Sequence, residues 1–141
     1  MSQTRSILSS LLDGTGASRV TLSEDVPGDD FFPVTQEVLR PGVASLREER
    51  TVDLRTQPVV RELEQGRQVV QNDCRAACAD PAFQRMLETY GSLGAQIVTP
   101  IFVAGNLKAI VSVHQLGEPR VWSEREIALA TWAAAEVRQR L

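Results

Sequence analysis

The spacing of hydrophobic and polar positions changes along this chain, and each change marks an element. In residues 3–13, Ile7, Leu8, Leu11 and Leu12 recur at three-to-four spacing, which predicts a short helix stopped by Gly14 and Gly16. Residues 18–23 read as a short strand with Val20 and Leu22 on one face, and residues 26–30 as a turn rich in Pro, Gly and Asp. Residues 31–39 read as its antiparallel partner, ended by Pro41 and Gly42. The pattern is weak over 43–56, where a loop with a short helical turn near 44–46 is expected. Pro58 suits the first turn of a helix covering 59–64, with Gly66 as its stop. A short strand at 68–71 and a polar, alanine-rich connection at 73–80 follow. Pro81 then opens a helix to Tyr90 with Phe83, Met86, Leu87 and Tyr90 on one face, closed by Gly91 and Gly94.

The strongest pattern lies in the last third. Residues 95–103 and 107–115 predict two strands joined at Gly105 and Asn106, both tolerant of positive φ. The second strand alternates: Leu107, Ala109, Val111 and Val113 on one side, Lys108, Ile110, Ser112 and His114 on the other. Ser123 and Glu126 form a capping box that opens the final helix. Ile127, Ala130, Ala134, Val137 and Leu141 make one apolar stripe on it, and Leu129, Trp132 and Ala133 a second. Two stripes exceed what one sheet contact needs. They fit either a helix-mediated dimer or packing against the N-terminal helix. These elements imply an α+β architecture, an antiparallel sheet of five or six strands with helices packed around it.

Length and charge narrow the class. One domain spanning residues 1–141 is the natural reading of this length. With 43% hydrophobic and 23% charged residues the chain can bury an ordinary core. A net charge of −3 and a pI near 5.2 argue against nucleic-acid binding. No apolar run reaches the roughly 18–20 residues of a membrane span, and the N-terminus lacks the features of a secretory signal, so a cytoplasmic location is expected. Cys74, Cys78 and the one histidine fall short of a four-ligand metal set or a disulfide framework. No nucleophile–base motif and no phosphate-binding glycine loop is present, so a non-enzymatic role is expected.

Several segments in order carry a family resemblance over about residues 17–140: ASRVTLSED, RPGVASL, LEQGRQVVQND, GAQIVTPIFVAGNLKAIVSVHQ and EPRVWSEREIALATWAAAEV. Together they resemble GAF domains, and in particular those of the phytochrome and cyanobacteriochrome type. The resemblance implies a PAS-like sheet with the N- and C-terminal helices on one face and a small-molecule pocket on the other. It also implies a sensor rather than an enzyme. In bilin-binding members a cysteine, usually followed by histidine, forms the thioether to the chromophore just before the helix that precedes the central hairpin. The matching positions here fall near Ala82 and Phe83, which lack that chemistry. No cysteine precedes LEQGR, where some members carry a second one. Covalent bilin attachment at these positions is therefore not expected, and the cofactor is left unassigned. Some GAF-fold proteins reduce free methionine sulfoxide with several cysteines; two at this spacing place that reading below sensing.

The candidate ligand-binding residues are Asp73, Cys78, Phe83, Tyr90, Ser112 and His114. His114 resembles the histidine of the family's HQ motif, and on the mixed face of its strand it either borders a pocket or bonds to backbone. Asp73 suits loop N–H groups or a ligand donor. Cys78 is either a tether or a half-buried small residue; on a helix it would share a face with Cys74. Tyr90 offers a phenol or simply packs. Arg120 and Trp122 read as loop anchors. The expected function is a small-molecule-binding sensory domain in signal transduction, a homodimer acting through its terminal helices on a downstream protein or fused output domain. The alternatives are a ligand-free dimerisation module, its pocket filled by Phe83, Met86 and Tyr90, and a domain holding a tetrapyrrole non-covalently.

Overall fold

A computed structural model describes residues 2–141. It contains helix α1 (Gln3–Thr15), strands β1 (Arg19–Glu24) and β2 (Val34–Leu39), a single 3-10 turn (Leu54–Thr56), α2 (Pro58–Glu64), β3 (Val69–Gln71), α3 (Cys74–Ala77), α4 (Pro81–Thr89), β4 (Leu93–Val103), β5 (Asn106–Leu116) and α5 (Glu124–Arg138). The five strands form one antiparallel sheet in the order β2-β1-β5-β4-β3. This is the α+β architecture anticipated, with five strands.

Two cores flank the sheet, as strand alternation requires. On one face Val20, Leu22, Ile97, Val111 and Val113 meet α1 through Leu8 and Leu11, and α5 through Ala130, Ala133, Ala134 and Val137. The small residues of α5 are thus buried inside the chain, while Trp132 stays 45% exposed. The capping box is formed: Ser123 Oγ accepts from Glu126 N, and Ser123 N donates to Glu126 Oε1. On the other face Val98 and Ile110 pack with Leu63, Phe83, Met86 and Tyr90 from α2, α4 and their flanks.

The differences from the pattern have local causes. The β4–β5 turn sits one residue earlier than expected: Val103 pairs with Asn106, and Ala104 and Gly105 take positive φ (53° and 83°), as a two-residue type I′ turn demands. A bulge leaves Lys108 unpaired between Leu107 and Ala109, so Leu107 joins the second core rather than the Ala109 face. β2 begins at Val34 because Phe32 adopts φ 56° and breaks the strand. α1 runs through Gly14 and ends on Gly16, whose φ of 65° makes the left-handed cap.

No helical turn forms at 44–46. Its polar groups are engaged elsewhere: Glu37 accepts from Leu46 N at 2.9 Å and from Ser45 Oγ, and Ala44 O accepts from Arg19. The turn forms instead at Leu54–Thr56, where Asp53 caps Arg55 N. Similarly, the polar connection at 73–80 contains α3, capped by Asp73 and pinned by the fully buried Cys74.

Candidate functional site

The second face of the sheet carries polar residues in register. Arg19, His114, Gln96 and Gln71 lie side by side across β1, β5, β4 and β3. Thr21 and Ser112 pair in the next row. Each sits on the strand face opposite the valines and leucines of the first core. Of these, Thr21, Gln96, Ser112 and His114, together with Tyr90 and Gln57, line a cavity of about 40 Å³. That is space for about three waters. Thr21, Ser23, Gln57, Tyr90, Gln96, Ser112 and His114 supply its polar wall, and apolar residues of β2, α2, α4, β4, β5 and the 43–57 segment supply the rest.

His114 is 3% exposed and its Nδ1 accepts a hydrogen bond from Arg19 Nε at 3.0 Å. A nitrogen that accepts carries no proton, so the ring is the Nε2–H tautomer. Among the described residues no protein acceptor takes that proton. Burial, and secondarily the Arg19 charge, hold His114 well below its usual 6.5. Arg19 is itself 1% exposed and donates through Nη1 to Ala44 O (3.0 Å) and through Nη2 to Tyr90 O (2.8 Å). Burial brings its pKa down to about 10, which leaves a cation at neutral pH. Its carbon Cζ stands 5.8 Å from the Tyr90 ring centroid, and burial pushes the Tyr90 phenol up. Tyr90 and His114 rings lie 5.7 Å apart, tilted at 36°.

A pH dependence follows. The unfolded chain protonates His114 near pH 6.5 while the native chain resists. The unfolded state therefore binds more protons as pH falls below about 6.5, and this residue's stabilisation, complete above that pH, is lost towards the lower native pKa. The expected slope approaches about 1.4 kcal/mol per pH unit. The depressed carboxylates Asp29 and Glu49 act only below their ordinary values of 3.8 and 4.5, so the window between is diagnostic. Urea unfolding at pH 7.5 and 5.5 should show a larger loss for the wild type than for His114→Gln. Equal losses would refute the assignment.

Of the residues chosen from sequence, Tyr90, Ser112 and His114 meet in the cavity wall. The other three do not line it. Asp73 is exposed and caps α3, its Oδ1 accepting from Ala76 N at 3.4 Å. Phe83 is fully buried in the core beneath the cavity, and Cys78 is half-buried at the end of α3. Cys74 is a buried free thiol pushed up to about 12, by burial first and by Asp73 second, so it is protonated at neutral pH. Ala82 and Phe83 lie inside the first turn of α4, under the Asp80 cap, not ahead of the helix.

Sequence reasoning missed Arg19, Thr21, Ser23, Gln57 and Gln96. The signal for the first three was available: with Val20 and Leu22 on one face of β1, Arg19, Thr21 and Ser23 must share the other. Among the described residues no group of three or more His, Cys, Asp or Glu is placed to hold a metal ion. Nor is any helix long and apolar enough to cross a membrane.

The model of the family described as "GAF domain" matches residues 3–141. A comparison with curated proteins gives no match. Among solved structures, the chain is similar to the blue-light absorbing form of the Thermosynechococcus elongatus PixJ GAF domain. That match has 22% identity over 97% of this chain and 83% of the other, with a TM-score of 0.76. It is also similar to the photoproduct state of GAF3 from Slr1393 of Synechocystis sp. PCC6803, at 18% identity, 97% and 92% coverage and a TM-score of 0.72. The chromophore-binding domain of the bacteriophytochrome RpBphP3 from R. palustris matches at 14% identity with a TM-score of 0.78, covering 97% of this chain and 52% of that one. These identities speak for the fold alone.

Proposed function

Because the chain belongs to the GAF domain family, we propose that it is a sensory domain of signal transduction, taking a small polar molecule into the cavity between the sheet and α2 and α4. The observation that carries this reading is a buried hydrogen-bonding atom of the cavity wall that has no partner. Gln57 is 5% exposed, lines the cavity and has an Oε1 without a partner. His114 lines the same cavity, and its Nε2–H has no protein acceptor among the described residues. Buried polar groups are normally satisfied, and leaving one unpaired costs about 1–3 kcal/mol. A bound molecule that donates to Gln57 Oε1 would recover that cost.

Occupancy has a physical route to both terminal helices. Gln96 Nε2 donates to Gln71 Oε1 at 2.8 Å, and Gln71 O accepts from Trp122 Nε1 at 3.2 Å. Arg120 stacks 4.5 Å from the Trp122 ring and donates to Thr15 O at the end of α1 and to Glu126 of the α5 capping box. A ligand that favours one arrangement of this chain shifts the helices by its difference in affinity for the two states. The outer face of α5, where Trp132 is exposed, is the surface offered to a second copy in the cytoplasm, and thence to a partner or fused output domain. Sedimentation velocity at tens of micromolar should show a dimer lost in Trp132→Glu; a monomeric wild type would rule that arrangement out.

The ligand-free reading draws on the same cavity: Met86 and Tyr90 leave only about 40 Å³ open. A tetrapyrrole of four linked rings does not fit that volume without opening the 43–57 segment, which disfavours the third reading. Thermal-shift screening against nucleotides, small acids and anions separates the cases. A shift with a small polar compound supports sensing, and no shift with any compound supports the ligand-free module. A visible absorption band after supply of bilin would instead restore the chromophore reading.

A further inference from the structure

The charge arrangement around the cavity says more about the occupant than its volume does. Arg19 makes no ion pair within 4.0 Å among the described residues. The field of Glu37 reaches it, but the oxygens of Glu37 are taken by Ser45 Oγ and Leu46 N. All three hydrogen bonds from Arg19 go to neutral acceptors. The nearest route for its charge toward the cavity is through the ring of His114. A cation bound at Nδ1 withdraws electron density from the imidazole and makes the Nε2–H a stronger donor. No Asp or Glu lines the cavity to meet that donor.

The opposite requirement sits on Gln57. Its Nε2 donates to Ala82 O at 3.5 Å, which sets the amide so that Oε1 is the free end. That oxygen needs a donor. Ser112 Oγ, paired in register with Thr21, can give or take. The cavity thus has a positively polarised donor on β5 and, on the segment before α2, a buried neutral acceptor without a partner, joined by space for a few heavy atoms. An ammonium group would enter a wall that holds no carboxylate, at a high desolvation cost. A hydroxyl needs one acceptor, and one is present.

Resting on the reading of this cavity as a ligand site, we propose that its occupant is a short hydroxycarboxylate. Its carboxylate oxygens accept from His114 Nε2 and Ser112 Oγ, and its hydroxyl donates to Gln57 Oε1. The Arg19 guanidinium acts behind His114 as the positioning charge and does not touch the ligand.

Matched probes test this: glycolate, lactate and 2-hydroxybutyrate, each beside its amide, the corresponding diol and the unsubstituted acid, titrated into ¹⁵N-labelled protein with the His114 ring nitrogens resolved. The expected result is that at least one acid shifts the His114 Nε2 resonance and the cavity amides, while its amide binds ten-fold or more weaker. Ser112→Ala should weaken the acid several-fold and leave the amide little changed. Gln57→Leu, a second variant that spares the sheet, should reduce the preference for the hydroxy acid over the unsubstituted acid. Amides or diols binding as well as the acids would overturn the hydroxycarboxylate assignment while leaving the cavity a ligand site. No response to any probe, with a hit elsewhere in the thermal-shift screen, would overturn the assignment alone. No response in either experiment would remove both the assignment and the sensory reading.

Discussion

Arg19→Met should destabilise the protein by about 3 kcal/mol, read as a lower urea midpoint with an unchanged slope. The substitution keeps an unbranched apolar stem but removes every donor. Tyr90 O and His114 Nδ1 would be left buried without partners, and Ala44 O, on an exposed residue, would lose its bond to the guanidinium. Each orphan costs about 1–3 kcal/mol, partly offset because a desolvated cation is also removed. Arg19→Lys should recover little of this, since one ammonium cannot reproduce a planar fork directed at three acceptors. The same bonds tie the 43–46 segment and the end of α4 to the sheet, so amide exchange should accelerate there first. A urea midpoint equal to wild type would show that the buried guanidinium is incidental to the fold.

Gly94→Ala should cost about 3–4 kcal/mol and lower the thermal midpoint by about 10 °C. Gly94 is the extra residue of a bulge at the start of β4, opposite Leu116 and Gln115. A Cβ at this position would lie 2.0 Å from Glu118 O and 2.4 Å from Glu118 C. Those are backbone atoms in a loop already held by Gly117 N to Ser92 O (2.7 Å) and Arg120 N to Asn72 O (2.9 Å). The strand and the loop therefore have to separate, taking with them the Arg120 and Trp122 link to α5. Gly14→Ala is the control. Its Cβ would meet only the tip of Leu129, at 2.3 Å, a side chain that can rotate, and alanine favours the helix by about 1 kcal/mol. Near-wild-type stability is expected for Gly14→Ala; if both substitutions had the same effect, the steric account of Gly94 would fail.

Much of this fold is written in short-range pattern. Three-to-four spacing located α1, α4 and α5, alternation located β4 and β5, and the capping box fixed the start of α5. The pattern failed where a distant side chain decides the local backbone. Residues 44–46 stay irregular because Glu37 and Arg19, on two strands, bind their polar groups. Nothing within that segment announces it. The site divides in the same way. Ser112 and His114 were legible because they alternate with valines on one strand, and Tyr90 because it ends an amphipathic helix. Arg19 acquires its role only through the β1–β5 register that sets it opposite His114, which is 95 residues away in sequence. Gln57 lies in a loop whose position depends on α2 packing. Asp73 and Phe83 were drawn toward the site by their place in the chain, but local chemistry claims them for a helix cap and a core.

The central claim is that the polar cavity on this sheet face is a ligand site, and calorimetric titration of Ser112→Val tests it most directly. Ser112 Oγ faces the cavity and is not committed to a protein partner among the described residues, and valine suits a strand. The variant should fold with stability within about 1 kcal/mol of wild type while filling the open space. With the tightest compound from the thermal-shift screen, wild type should give a saturable isotherm and Ser112→Val none. Undiminished binding by a fully folded Ser112→Val protein would place the ligand elsewhere and contradict the account.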